Sequence, residues 1–544
     1  MKMSDQQAIN AKESAESSRN VVVYALSMAF GTMTSRVLGL VRDMAFTALF
    51  SRTVTDAWTT AFRLPNMFRR LLGEGALSVS FIPIFVESRI QDPSGVRSRN
   101  LVNGLYTLLL IVLMGLTTLG TVFTEQILNL LLDPHYSDVA GKFELTVRMS
   151  RIMFSFVFMI SSYAFFMGIL NALGKYALAA IAPTLWNVTM IITTFIPQTW
   201  LGSPGDAIAW GVVIGGAFQA GVLVPALIKA GYFPRLRGDL KECFTNPDVL
   251  KIFRNMLPGM VGLGLLQITT IVNLRFASNL GEGPISYIYL ADRLLELPLS
   301  LVSVSLGTAL LPTLAAMWSR GDKAKMFETS NYYLRLNLFV AVPAAIGLFI
   351  MAEPIVELLF QRGHFAAEAT LATASVVRVY SFILISTSCV RVLVPSFYAI
   401  KNTWLPAAVS GVCLTVHILV APWLMKNWGL QGLVASSFVS ATLNMILLLS
   451  AYQVLIGPFG IFKLILSLAK FSLAGVGLWL VLGGYAWVHS LIGLGRVGLL
   501  LSVFVTISAG GVVYGGLAWL LRCEELTQTV GTVAAKVMRR LKKT

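Results

Sequence analysis

Apolar runs of roughly 20 residues recur along this chain from Val21 to Leu521, separated by short polar connections. A helix of about that length crosses the hydrocarbon core of a bilayer. The pattern predicts about fourteen spans, near 21–48, 56–87, 101–124, 146–172, 177–199, 206–231, 249–279, 284–317, 331–360, 371–400, 404–425, 429–456, 464–489 and 495–521. No long hydrophilic run separates them. The expected fold class is therefore an all-α polytopic membrane protein with no soluble domain of any size. The polar segment Met1–Asn20 lacks the apolar core and small-residue cleavage site of a signal peptide, and reads as a short cytosolic tail.

Composition agrees with this. Hydrophobic residues make up 56% of the chain and charged residues 12%, against about 25% charged in an ordinary soluble protein. The net charge of +16 would suggest a nucleic-acid ligand in a soluble chain. Here most basic residues fall in short loops, where they set topology and touch anionic lipid headgroups, so no nucleic-acid partner is expected. Taking alternate connections, one side collects most of the Lys and Arg, including the run from Lys536 to Lys543. The other holds little beyond Arg52, Lys142, Arg362, Lys426 and Arg496. That bias predicts an even number of spans with both termini in the cytoplasm. Cys243, Cys389, Cys413 and Cys523 are scattered and form no metal-ligand or disulfide spacing.

An internal repeat runs through the pattern. Ala61-Phe62-Arg63-Leu64, followed by Ile82-Pro83, matches Ala291-Asp292-Arg293-Leu294, followed by Leu311-Pro312. Asn171 to Tyr176 matches Tyr398 to Thr403, and each leads into a proline, Pro183 or Pro406. The offset is roughly 227–230 residues and takes in six spans, so the halves should be parallel repeats about an axis along the membrane normal. The expected organisation is a tail (1–20), an N-lobe (21–231), a cytoplasmic linker (232–248) and a C-lobe (249–456), then two extra spans (457–521) and a basic cytosolic tail (522–544). Two such six-helix lobes enclose a central cavity.

Charge inside the apolar runs marks the candidate chemistry. Arg36, Arg42, Arg63, Arg69 and Arg70 crowd the first two spans, and Arg275 and Arg293 recur in the second half. A cation at the bilayer centre costs roughly 2.5–3.5 kcal/mol on insertion scales, so such residues line a wet cavity or meet an anion. Guanidinium stays charged and presents a rigid fork that matches phosphate oxygens in pairs. The cluster therefore points to a diphosphate. Helical spacing places Arg63, Asn66 and Arg70 on one stripe, sets Arg69 about 100° from Arg70, and puts Arg42 to one flank of Arg36. Pro65 predicts a mid-span kink, and Gly73-Glu74-Gly75 a second weak point. Gly31 and Gly39 permit close helix approach or a bend. Asp43, Asp56, Glu74, Asp292 and Glu296 are the acids placed to hold arginines as ion pairs and act as gates. Two plainer readings stand beside these: Arg42, Arg70 and Arg275 as interfacial side chains with their heads at lipid phosphates, and Asp56 as a helix cap.

Catalytic and cofactor signals are missing. His135, His364, His417 and His489 are isolated, and no metalloprotease, nucleophile-elbow or Walker motif occurs. No catalytic residue, metal ligand or cofactor is expected. A membrane potential, at about 2.3 kcal/mol per charge per 100 mV, or an ion gradient is the candidate driver of transport.

Ser35-Arg36-Val37-Leu38-Gly39, Arg42-Asp43, Thr55-Asp56-Ala57, Phe62-Arg63-Leu64-Pro65-Asn66, Arg69-Arg70, Gly73-Glu74-Gly75-Ala76 and Phe81-Ile82-Pro83 together closely resemble the MurJ (MviN) family. So do Tyr289 to Pro298, Gly307 to Pro312 and Phe360-Gln361-Arg362-Gly363. The resemblance covers about residues 21–521. It implies a fourteen-helix lipid II flippase of the MOP exporter superfamily in the bacterial inner membrane, serving peptidoglycan synthesis. Lipid II, an undecaprenyl-pyrophosphate-linked muropeptide, would move from the cytoplasmic to the periplasmic leaflet by alternating access. Arg36, Arg42, Asp56, Arg69 and Arg293 match functionally important positions, with Ser35, Arg63, Asn66 and Glu74 beside them. Spans thirteen and fourteen would form a groove for the lipid tail. Anionic lipids and the cell-wall synthesis machinery are the further partners implied. Some relatives carry a sodium site with acids in the seventh and eleventh spans. Here Thr269, Thr270 and Asn273 are polar but no acid is placed there, which departs from that pattern.

Two alternatives stand beside this expectation. Another MOP-superfamily exporter, either a flippase for a different polyprenyl-linked oligosaccharide or a multidrug/cation antiporter, would share the fold. The former would need the same diphosphate site, whereas the latter would favour an acidic cavity. An enzyme acting on polyprenyl pyrophosphates would need a metal or acid/base cluster, which the sequence lacks.

Overall fold

The computed structural model describes residues 31, 33–70, 77–300, 305–493 and 495–527. Among these, every regular element is helical. The first compact unit, residues 1–275, holds α1 (33–49), α2 (Arg52–Phe68), α3 (Leu77–Gln91), α4 (Val96–Val122), α5 (Thr124–Leu131), α6 (Lys142–Ala172), α7 (Tyr176–Thr194), α8 (Asp206–Gly221), α9 (Val224–Ala230), α10 (Leu240–Thr245) and most of α11 (Pro247–Ser278). The second, residues 276–544, holds α12 (Pro284–Leu299), α13 (Ser305–Ser319), α14 (Lys323–Ile350), α15 (Ala352–Phe360), α16 (Ala367–Ala399), α17 (Trp404–Leu455), α18 (Ile461–Gly483), α19 (Tyr485–Ile492) and α20 (Arg496–Leu520).

Each of the fourteen expected segments contains helix. Nine helical stretches among the described residues are long and apolar enough to cross a membrane. The eleventh and twelfth expected spans appear as one run, α17, bent at Gly429, whose φ of 53° and ψ of −127° no helix can carry. Glycine tolerates that conformation because it has no Cβ.

In the first unit α6 is the central helix, packing on α2, α3, α4 and α8. In the second, α16 takes that place against α12, α13, α14 and α17. These two helices are the most enclosed of the apolar stretches. The α4, α5 and α7 helices start at Val96, Thr124 and Tyr176, and α14, α15 and α17 at Lys323, Ala352 and Trp404, an offset of 227 or 228 residues in these three pairs. The repeat in the motifs thus recurs in the helix starts. The two extra C-terminal segments pair with each other, α18 on α20, and α18 also packs on α14. All four cysteines are buried thiols.

The first compact unit runs to Arg275, within α11, whereas the sequence expectation opens the second lobe at residue 249. Polar contacts tie α11 to its predecessors. Arg97 grips Asp248 with two 2.8 Å bonds, Lys251 meets Glu87 at 3.0 Å, and Arg275 donates to the Leu130 and Leu132 carbonyls at the end of α5. The expected linker is also fastened along α4. The Arg235 and Arg237 amides donate to Asn103 and Thr107, and the Arg237 guanidinium reaches Asn100 and Glu242.

Candidate anion-binding site

The α1 helix carries Ser35, Arg36, Arg42 and Asp43. It lies close against α7: a Cβ on Gly31 would stand 2.8 Å from the Ala180 carbonyl oxygen, so a larger residue would push the helices apart. Gly39 faces Asn187 at ordinary contact distance. Arg42 and Asp43 are 1% and 0% exposed. The Arg42 Nε and Nη2 donate to Asp43 Oδ1 at 3.0 and 2.6 Å, and Nη1 donates to Asn187 Oδ1 at 3.2 Å. Its guanidinium also lies over the rings of Trp186, at 4.8 Å, and Trp58, at 5.9 Å. Asn187 in turn donates from Nδ2 to the Ser35 carbonyl and hydroxyl, at 2.9 and 3.1 Å. The expectation that Arg42 flanks a wet cavity, or lies at a lipid headgroup, therefore needs correction for this conformation. Its fork is filled by a carboxylate and an amide inside the unit. Arg36, six residues earlier, is only half-buried.

The α2 helix begins at an N-cap where the Ser51 hydroxyl accepts from the Val54 amide. It runs through Pro65 to Phe68 and then loosens into a wider π turn at 69–70. The helix stays continuous through Pro65, where the sequence predicts a kink. The sequence reading places Arg63, Asn66 and Arg70 on one stripe and names no bond between Asn66 and Arg69. Asn66 Oδ1 accepts from Arg69 Nε at 2.8 Å. Arg63, Arg69 and Arg70 are all half-buried. Arg63 lines a cleft with Met67 of α2, Leu131 at the end of α5, and Gln267, Thr270 and Leu274 of α11. The surface of this cleft is apolar, so it packs the stem of Arg63 rather than presenting donors.

Asp56 pairs with Lys142. Lys142 Nζ lies 2.9 Å from Asp56 Oδ2, and both side chains are fully buried. The sequence reading places Lys142 in a loop, where a lone cation is unremarked, whereas it is the first residue of α6.

The second unit offers a smaller group on α12. Tyr289 lies one turn before Arg293, and its hydroxyl accepts from Arg293 Nε and Nη2 at 3.3 and 2.9 Å. The guanidinium also packs over the Tyr289 ring. Glu296 meets it at 3.5 Å from the following turn. Arg293 remains a third exposed, and Asp292 beside it is half-buried. Arg275 reaches the carbonyl end of α5, where a cation meets the helix dipole favourably. Glu74 lies outside the described residues.

Sequence reasoning missed Asn187, Lys142 and Arg335. Arg335 of α14 is buried, with Nη1 2.8 Å from Glu525 and 3.1 Å from Glu524, and it ties the end of the second unit to α14. The only signal for any of the three is a single polar residue in an apolar run.

The comparisons with known proteins follow this geometry. The family described as lipid II flippase MurJ matches residues 45–505. The chain is 50% identical over 513 residues to the probable lipid II flippase MurJ of Bdellovibrio bacteriovorus, covering 94% of this chain and 97% of that one. It is 31% identical over 506 residues to the lipid II flippase MurJ of Burkholderia cenocepacia, covering 91% and 96%. Among solved structures, lipid II flippase MurJ in an inward closed conformation superposes with a TM-score of 0.74 at 23% identity, over 92% of this chain and 99% of that one. An inward-facing multidrug resistance MATE family transporter of the MOP superfamily gives 0.65 at 16%, over 79% and 98%. At these identities the two structures speak for the fold alone, a multi-pass helical membrane architecture. The matched span and the 50% identity settle the family: this chain belongs to the MurJ lipid II flippases.

Proposed function

We propose that this protein moves lipid II from the cytoplasmic to the periplasmic leaflet of the bacterial inner membrane by alternating access, and that its membrane arginines hold the pyrophosphate. The 50% identity over 94% of the chain to a probable lipid II flippase carries the substrate assignment. The half-buried Arg36, Arg63 and Arg69 favour the pyrophosphate, because each cation at membrane depth costs about 2.5–3.5 kcal/mol unless water or an anion receives it.

The residues divide by role. Arg36, Arg63 and Arg69 donate to the diphosphate, with Asn66 orienting Arg69 and Ser35 lying next to Arg36 on α1. Arg293 supplies a further fork, aimed by Tyr289 and released from Glu296 when the anion arrives. Arg42, Asp43 and Asn187 hold the wall on which Arg36 stands. Both termini lie in the cytoplasm, and the membrane potential or an ion gradient drives the cycle. Anionic lipids bathe the basic loops, and the cell-wall synthesis machinery supplies and removes the substrate.

Leaflet sidedness tests the function. Depleting the protein in a strain with no second flippase should make lipid II inaccessible to a periplasmic probe, and undiminished access would overturn the reading. In the same strain Arg69→Ala should fail to complement at normal protein level. Arg69→Lys should complement partially, because it keeps the charge and loses the fork.

A further inference from the structure

The geometry points to Lys142 as a positioning residue for transport: its ammonium, paired with Asp56, fixes the rotation of α2 and thereby the placement of Arg63. This rests on the pyrophosphate reading above, since Arg63 matters only if it meets the substrate.

The pair is built as a closed unit. Lys142 and Asp56 are both fully buried, 2.9 Å apart. The ammonium also sits 4.4 Å from the centre of the Tyr136 ring, on the short helical turn Pro134–Asp138 that precedes α6. The Tyr136 hydroxyl donates to Thr146 at 2.8 Å and lies 3.4 Å from the Thr60 hydroxyl. Burial, reinforced by the nearby Asp56 charge, pushes the Tyr136 phenol far up, so it stays a neutral partner. Thr146 closes the set by donating to the Lys142 carbonyl. One residue from each of two turns of α2, Asp56 and Thr60, is thus tied to α6 and to the turn before it.

A fully buried ion pair is a poor way to gain stability alone. Replacing both charges by well-packed neutral groups is often neutral or stabilising, whereas removing one partner is strongly destabilising. What a charged pair supplies better than apolar contact is a single register, because sliding or rotating either helix strands two charges in the interior. Asp56 and Arg63 lie seven residues apart, which on a helix is two turns up and about 20° around, so they share a face. Whatever rotation of α2 the pair permits, Arg63 inherits.

The test uses the full chain in lipid nanodiscs. Two readouts apply: the distance between spin labels introduced as Met67→Cys on α2 and Glu144→Cys on α6, and, on unlabelled protein with Met67 and Glu144 intact, the affinity for farnesyl pyrophosphate. The key variant is the neutral pair Asp56→Asn with Lys142→Met, accompanied by the charge swap Asp56→Lys with Lys142→Asp. The neutral pair should fold, shift the label distance by about 1.5 Å or more, the rise of one residue, and weaken farnesyl pyrophosphate about tenfold. The swap should restore part of both. An unchanged label distance in the folded neutral pair would overturn the positioning role, whatever the probe does. A shifted distance in a protein whose wild type binds no farnesyl pyrophosphate would instead uphold the register role and overturn the pyrophosphate reading. If the neutral pair does not fold, Lys142→Arg decides. A native distance and affinity there support the role. A changed affinity with a native distance overturns it.

Discussion

Asn187 joins α1 to α7 with one amide, receiving from Arg42 and donating to Ser35. Asn187→Leu keeps the branched shape and removes these bonds, together with the long one to the Pro183 carbonyl. With a charged donor left short of an acceptor, the loss should be about 1.5–3 kcal/mol and appear as a lowered thermal midpoint in detergent. Asn187→Asp should recover part of it, because the carboxylate still accepts from Arg42 but no longer donates to Ser35. Arg42 and Asp43 were legible in the sequence because charge in an apolar run is conspicuous. Asn187 was not, because a neutral amide carries little such signal and its partner lies 145 residues away. Lys142 was misplaced for a related reason. Its partner Asp56 is 86 residues distant, and a cation at a helix start looks like a loop charge until that partner is seen.

Among the elements, the pattern of apolar runs located the helices well and their interruptions less well. Pro65 removes one backbone donor, yet α2 stays helical through it to Phe68. The turn between α5 and α6 gives a further prediction. Asp133 accepts from the His135 amide and contacts its ring at 2.8 Å, and this hydrogen bond raises the His135 pKa above its ordinary value. A group whose folded pKa is raised contributes its stability fully below the unfolded value, about 6.5, and loses it as pH rises through the folded value. His135 titration, followed by NMR, should move down in Asp133→Asn. An unmoved titration would mean that the Asp133 contact does not set it.

For the molecule as a whole, the repeat offset, the all-helical architecture and the family were legible, because each is spread over hundreds of residues. The polar contacts that tie α11 to the first unit were not, because their partners lie far apart in sequence. The Arg97–Asp248 pair is the plainest of these. A double-mutant cycle with Arg97→Gln and Asp248→Asn should give a coupling of about 0.2–1 kcal/mol that shrinks as salt is added. Zero coupling at low salt would mean that the Arg97–Asp248 pair does not help to hold α11 to the first unit.

The buried cysteines have a practical consequence. Every native thiol is enclosed, and at Cys243, on the short α10 helix, burial also pushes the thiol pKa up, away from the reactive thiolate. The wild-type chain should therefore give little background with a membrane-impermeant maleimide. A cysteine introduced at an exposed loop position would then report its own side of the membrane, so the sidedness of every connection could be mapped in cells with the four native cysteines left in place.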